Sequence, residues 1–126
     1  MAKDPQEWLR QADYDIETAE HMFKAGRHFY AVFMCHLALE KALKGVYREK
    51  LKDAPPRTHN LVYLLNKTHA KPEESVGRFL VRLNEASVAT RYPEELDKLQ
   101  DDFTEPVVRD ILARSREVLK WIKTLF

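Results

Sequence analysis

Apolar residues recur along this chain at the three-and-four spacing of amphipathic helices, in stretches separated by glycine, proline and polar clusters. Trp8, Leu9, Ala12, Ile16, Ala19 and Phe23 mark the first stretch. Asp4 is placed to cap it, Pro5 suits its first position, Glu7 stands at N3 and Gly26 supplies a stop, so the pattern predicts a helix over 5–24. A second helix is predicted from His28 or Phe29 to about Leu51, carrying Phe29, Val32, Phe33, Leu37, Leu39, Leu43 and Val46. That surface is too wide for one neighbour. It belongs at the centre of a bundle, or where a core meets a subunit interface, and a wide stripe left exposed would be a liability, so a dimer is expected.

Asp53-Ala54-Pro55-Pro56 breaks the pattern, because proline removes a backbone donor and holds its predecessor extended. Thr58 is then expected to cap a shorter third helix carrying Leu61, Val62, Leu64 and Leu65, which ends before Pro72. Pro72-Glu73-Glu74 reads as the acidic first turn of a fourth helix with Val76, Phe79, Leu80, Leu83 and Val88, finishing by Tyr92 because Pro93 follows. Residues 94–102 are charged and hold little core material, so a loop or a short surface helix is expected. Thr104 caps the last helix, with Pro106 tolerated in its first turn and Val107, Ile111, Leu112, Val118, Leu119, Ile122 and Leu125 on its stripe. The predicted fold is all-α: an up-and-down bundle of four main helices plus one short helix, dimeric, in a single domain spanning residues 1–126.

Composition narrows the class. Hydrophobic residues at 44% and charged residues at 33% fit a soluble helical protein rather than a disordered or fibrous one. No apolar run approaches a membrane span and Met1-Ala2-Lys3-Asp4-Pro5 lacks the apolar core of a signal peptide, so a cytoplasmic protein without membrane attachment is expected. Cys35, the one cysteine, rules out an internal disulfide and a zinc ribbon, and its apolar surroundings read as those of a buried structural thiol. A net charge of +1 argues against nucleic-acid binding through bulk charge but leaves room for a local basic cleft.

Chemistry-bearing residues fall in three places. His36, Glu40 and Lys44 share one face of the second helix at i, i+4 spacing, which suits a helix-stabilising contact, a polar cleft between subunits or a base with its orienting carboxylate. Arg57-Thr58-His59 stands where a loop enters a helix: Thr58 has a capping role, and the unbonded N–H groups there, with Arg57 and His59, would also suit a small anion such as phosphate. Arg91-Tyr92-Pro93 closes the fourth helix, where Arg91 complements the helix dipole and Tyr92 suits packing against the second helix. Together, Arg57, His59, Arg91 and Tyr92 offer cations and an aromatic ring suited to holding a phosphate and stacking on a base. The spacing of His36 and Glu40 also suits a metal pair, but no histidine forms a His-Glu-x-x-His arrangement, and neither a metal nor another cofactor is expected.

The order and spacing of several short pieces resemble the HEPN family, the helical domains of prokaryotic toxin–antitoxin pairs and related nucleotide-handling systems. They are Trp8-Leu9-Arg10-Gln11-Ala12-Asp13-Tyr14-Asp15, Tyr30-Ala31-Val32-Phe33-Met34-Cys35-His36-Leu37-Ala38-Leu39-Glu40-Lys41-Ala42-Leu43-Lys44, Pro56-Arg57-Thr58-His59-Asn60-Leu61 and Thr90-Arg91-Tyr92-Pro93. The resemblance implies a helical bundle that dimerises, and either a ribonuclease that needs no metal or a noncatalytic partner of a small nucleotidyltransferase. Ribonuclease members carry an arginine, four to six residues, then a histidine. Here that spacing is absent: Arg57 is too close to His59, Arg27 is adjacent to His28 and too far ahead of His36, and His21 and His69 have no arginine at the required distance.

The leading expectation is therefore a HEPN-like interaction module that partners a small nucleotidyltransferase and binds nucleotide or RNA in a dimer cleft. The alternatives are a metal-independent endoribonuclease, with His59, Arg57 and Arg91 as catalytic candidates, and a ligand-free helical scaffold. Tyr14, Tyr30, Tyr47, Tyr63 and Tyr92 are all chemically suited to accept a nucleotidyl group, and no local feature singles one out.

Overall fold

The computed structural model describes residues 3–92 and 94–126. Met1, Ala2 and Pro93, the residue expected to stop the fourth helix, lie outside them. Among the described residues there are six helices: α1 (Pro5–Lys24), α2 (His28–Leu51), α3 (Leu61–Lys67), α4 (Glu74–Arg91), α5 (Leu96–Asp102) and α6 (Glu105–Lys123). Four are long and two short, so the bundle carries a second short helix where 94–102 left loop and helix open.

Local chemistry sets most of the boundaries. Asp4 caps α1 by accepting the Gln6 N–H at 2.7 Å, with Pro5 at the first helical position. Gly26, at φ +78°, turns the chain from α1 into α2 through a left-handed conformation that a side chain would strain. The expected cap of the third helix and the expected start of the fourth need correction. Asn60, not Thr58, caps α3, its side chain accepting the Tyr63 N–H at 3.1 Å, while Thr58 accepts the Asn60 N–H in the turn before it. Helix α4 starts at Glu74 rather than at Pro72, after Glu73 at the cap position, and α6 ends at Lys123, short of Leu125. Thr104 stands at the cap position of α6 but its side chain makes no capping bond.

Helix α2 is the axis of the bundle. It buries residues on every side, among them Phe29, Val32, Cys35, Leu39, Leu43 and Val46, because α1, α6, α4 and α3 all pack around it. Much of its broad apolar surface is thus covered within one chain, while Phe33 and Leu37 stay partly exposed. Cys35 is fully buried, as its surroundings foretold, and burial pushes its thiol up to about 12. Close packing at one point requires glycine: a Cβ on Gly45 would come within 2.9 Å of the Phe126 ring and 3.1 Å of the Trp8 Cβ. Among the described residues, no helix is long and apolar enough to cross a membrane.

Candidate functional site: a buried carboxylate behind a polar groove

Placing α2 at the centre draws its polar stripe inward. His36, Glu40 and Lys44 are all buried within the single chain. A carboxylate and an ammonium removed from water must be paired, and they pair with each other: Lys44 Nζ donates to Glu40 Oε2 at 3.1 Å. The other carboxylate oxygen, Oε1, accepts a hydrogen bond from His59 Nδ1 at 2.9 Å. His59 comes from the irregular segment between α2 and α3 and is 61% exposed, so one edge of its ring is fixed on the carboxylate while most of the side chain meets solvent.

This contact decides the histidine's tautomer. An ionised carboxylate only accepts, so His59 Nδ1 carries the hydrogen and the neutral ring presents the lone pair of Nε2. His36 faces the same carboxylate from α2, its Nδ1 3.9 Å from Oε1 and beyond hydrogen-bonding distance. Its Nε2 is 3.3 Å from Asn84 Oδ1 on α4. Burial holds His36 below the ordinary histidine range, against the opposing pull of Glu40 and Asn84, so the ring is neutral near pH 7.

In front of the carboxylate lies a groove of about 270 Å³ between the start of α3 and the second half of α4, lined by His59, Asn60, Asn84, Ser87, Val88, Arg91 and Tyr92. Asn84, Ser87, Val88 and Arg91 fall at helical spacing and so turn one face of α4 toward it. Arg91 lies over the Phe33 ring of α2, its guanidinium carbon 4.7 Å from the ring centroid. Its Nη2 has no hydrogen-bond partner among the described residues. Stacking therefore holds this cation in place without neutralising it.

The structure brings together most of the residues singled out in the sequence. His36, Glu40, Lys44 and His59 form one connected cluster, and Arg91 and Tyr92 share the groove with His59. Arg57 is exposed and does not line the groove. Tyr92, expected to pack against α2, is instead 71% exposed. Of the N–H groups at the start of α3 on which an anion site was expected, those of Leu61 and Tyr63 donate to the Asn84 and Asn60 side chains. Sequence reasoning missed Asn60, Asn84 and Ser87. The readable signal was a polar file at i, i+3 and i+7 in α4, which reading the helix for its apolar face passes over.

Among the described residues, no group of three or more His, Cys, Asp or Glu side chains is arranged to hold a metal ion. Two solved structures share the fold. The archaeal HEPN homologue ST0689 superposes with a TM-score of 0.77 at 22% identity, covering 97% of each chain. TT1696 from Thermus thermophilus superposes with a TM-score of 0.78 at 20% identity, covering 97% of this chain and 98% of that one. No curated protein matches the chain. The HEPN domain description matches residues 5–125, and on that match, which spans all six helices, the chain belongs to the HEPN domain family.

Proposed function

We propose that the groove binds RNA and cleaves its phosphodiester bonds by acid–base chemistry, with His59 as the base and Arg91 as the phosphate-holding cation. The observation that carries this reading is the 2.9 Å bond from His59 Nδ1 to the buried Glu40 carboxylate. A carboxylate behind a histidine fixes the ring's tautomer and stabilises the imidazolium that forms when the far nitrogen takes a proton. His59 Nε2 takes the proton of a ribose 2′-hydroxyl as that oxygen attacks phosphorus. The 5′-oxygen leaves with a proton from solvent, and the products are a 2′,3′-cyclic phosphate and a 5′-hydroxyl end. Arg91 offsets the charge that builds on the phosphorane oxygens, and Tyr92 offers an exposed ring on which a base stacks.

The balance thus moves from the interaction module toward the ribonuclease. A specific departure keeps the module as a second reading: Arg57 and His59 lack the four-to-six-residue spacing of ribonuclease members. In that reading the same groove holds nucleotide or RNA without cutting it, as part of a complex with a small nucleotidyltransferase. A homodimer is part of both readings, with Val88, 62% exposed beside the groove, at the edge a second copy would cover.

The test is incubation of the purified chain with structured RNA in EDTA. Cleavage to cyclic-phosphate ends, lowered about 100-fold or more in His59→Ala and in Arg91→Ala, is the expected result. Cleavage that persists undiminished in the double variant would defeat the ribonuclease reading. RNA that is bound but left intact selects the module, and an inert chain with no nucleotide-dependent change in thermal stability selects the scaffold.

A further inference from the structure

His59 belongs to no helix, and the segment before it is irregular, so something outside the segment must hold the ring within reach of Glu40. The strongest tether begins one residue later. Asn84, on α4, uses both ends of its side-chain amide on two consecutive residues: Nδ2 donates to Asn60 Oδ1 at 2.9 Å, and Oδ1 accepts the Leu61 N–H at 3.0 Å. The orientations of these amides follow from backbone donors. The Tyr63 N–H requires an oxygen on the near side of Asn60, and the Leu61 N–H requires an oxygen on the near side of Asn84. Because Asn84 Oδ1 is then an acceptor, the His36 Nε2 that lies 3.3 Å from it carries the hydrogen. His36 in turn sits one helical turn from Glu40, which holds His59. The contacts close a ring through Glu40, His59, the 60–61 junction, Asn84 and His36.

We infer that Asn84 is a positioning residue for His59: its amide ties the entry of α3 to α4, with buried His36 behind it, and so sets the place from which His59 reaches Glu40. The inference rests on the proposed role of His59 only for its effect on catalysis; the geometry it describes exists in the free protein. A ring held at one edge by a single 2.9 Å bond is readily lost when the backbone beside it shifts, and a displacement of about 1 Å at a reacting group can lower a rate about 100-fold.

The experiment uses the full chain labelled with ¹⁵N at the histidine ring nitrogens. In the unsubstituted protein, His59 is expected as the Nδ1–H tautomer and His36 as the Nε2–H tautomer. Asn84→Ala is expected to shift His59 toward the mixed population of a free imidazole and to lower kcat for RNA cleavage about 10- to 100-fold, with KM changed less than about 3-fold. Asn84→Asp keeps both acceptor contacts but sets a carboxylate oxygen against Asn60 Oδ1 in place of the donor, so His59 is expected to shift at least part of the way. An unchanged His59 signature in folded Asn84→Ala overturns the inference, and if that variant does not fold, an unchanged signature in Asn84→Asp overturns it. The ring signals are read without RNA, so a chain that cleaves none still decides this question.

Discussion

Replacing Glu40 by glutamine removes one charge and almost no volume from the middle of α2. Its side chain is 4% exposed and that of Lys44, whose ammonium donates to it, is 11% exposed, so the substitution leaves a cation short of water and short of a counter-charge. At 3.1 Å and an effective dielectric constant of about 20, the direct attraction is about 5 kcal/mol. Breaking a buried pair from one side costs about 3–5 kcal/mol, and the amide oxygen of glutamine still accepts one hydrogen bond, so a loss of about 2–3 kcal/mol is expected. Urea unfolding at pH 7 measures it as a lower midpoint at unchanged slope, and for a chain of this size the melting temperature should fall about 6–15 °C. Adding Lys44→Met removes the stranded ammonium and should restore at least half of the loss. A change below about 0.5 kcal/mol for Glu40→Gln would mean that the carboxylate is effectively solvated, and the account of a buried anchor behind His59 would fall with it.

Other expectations follow from the same structure. Gly45→Ala should lower stability by about 1 kcal/mol in thermal melts, because crowding against Trp8 and Phe126 outweighs the helix-propensity gain, and Phe126→Ala beside it should shrink that penalty. His36 resists protonation when folded and gains its proton near pH 6.5 when unfolded, so it contributes a loss of stability as pH falls from about 6.5 toward its depressed folded value, by at most about 1.4 kcal/mol per pH unit. A His36→Gln chain should show a flatter slope over that window, and an equal slope would contradict the burial argument. The Cys35 thiol, held near 12, should be inert to a thiol reagent at pH 8 in the native protein and fully reactive in guanidinium. Arg116 beside Glu20 holds that carboxyl below its usual range, a contribution present above about pH 4.5 and lost as pH falls further. Since both side chains are well exposed, Glu20→Gln should cost less than about 1 kcal/mol at pH 7.

The sequence by itself determined the elements whose causes are local. Asp4 and Pro5 start α1, Gly26 ends its turn, Pro55-Pro56 breaks the chain, and the three-and-four spacing of apolar residues makes the long helices. These depend on neighbours within a few positions, which is why reading along the chain recovers them. The cap of α3 was harder, since Thr58 and Asn60 both have capping chemistry and the choice went to Asn60, whose side chain also meets Asn84 on α4. Only the tertiary structure decided what the polar stripe on α2 is for. One wide apolar surface serves equally well at a subunit interface or at the axis of a bundle, and the packing of four helices around α2 chose the axis for most of it. That choice buried Glu40 and Lys44, and a buried carboxylate must take its partners from wherever the fold brings them. His59 lies 19 residues away in the chain and Asn84 lies on α4, and no helical period links either to Glu40. The candidate chemistry was thus legible as a set of residues, while its connection through Glu40 and Asn84 existed only once the helices had packed.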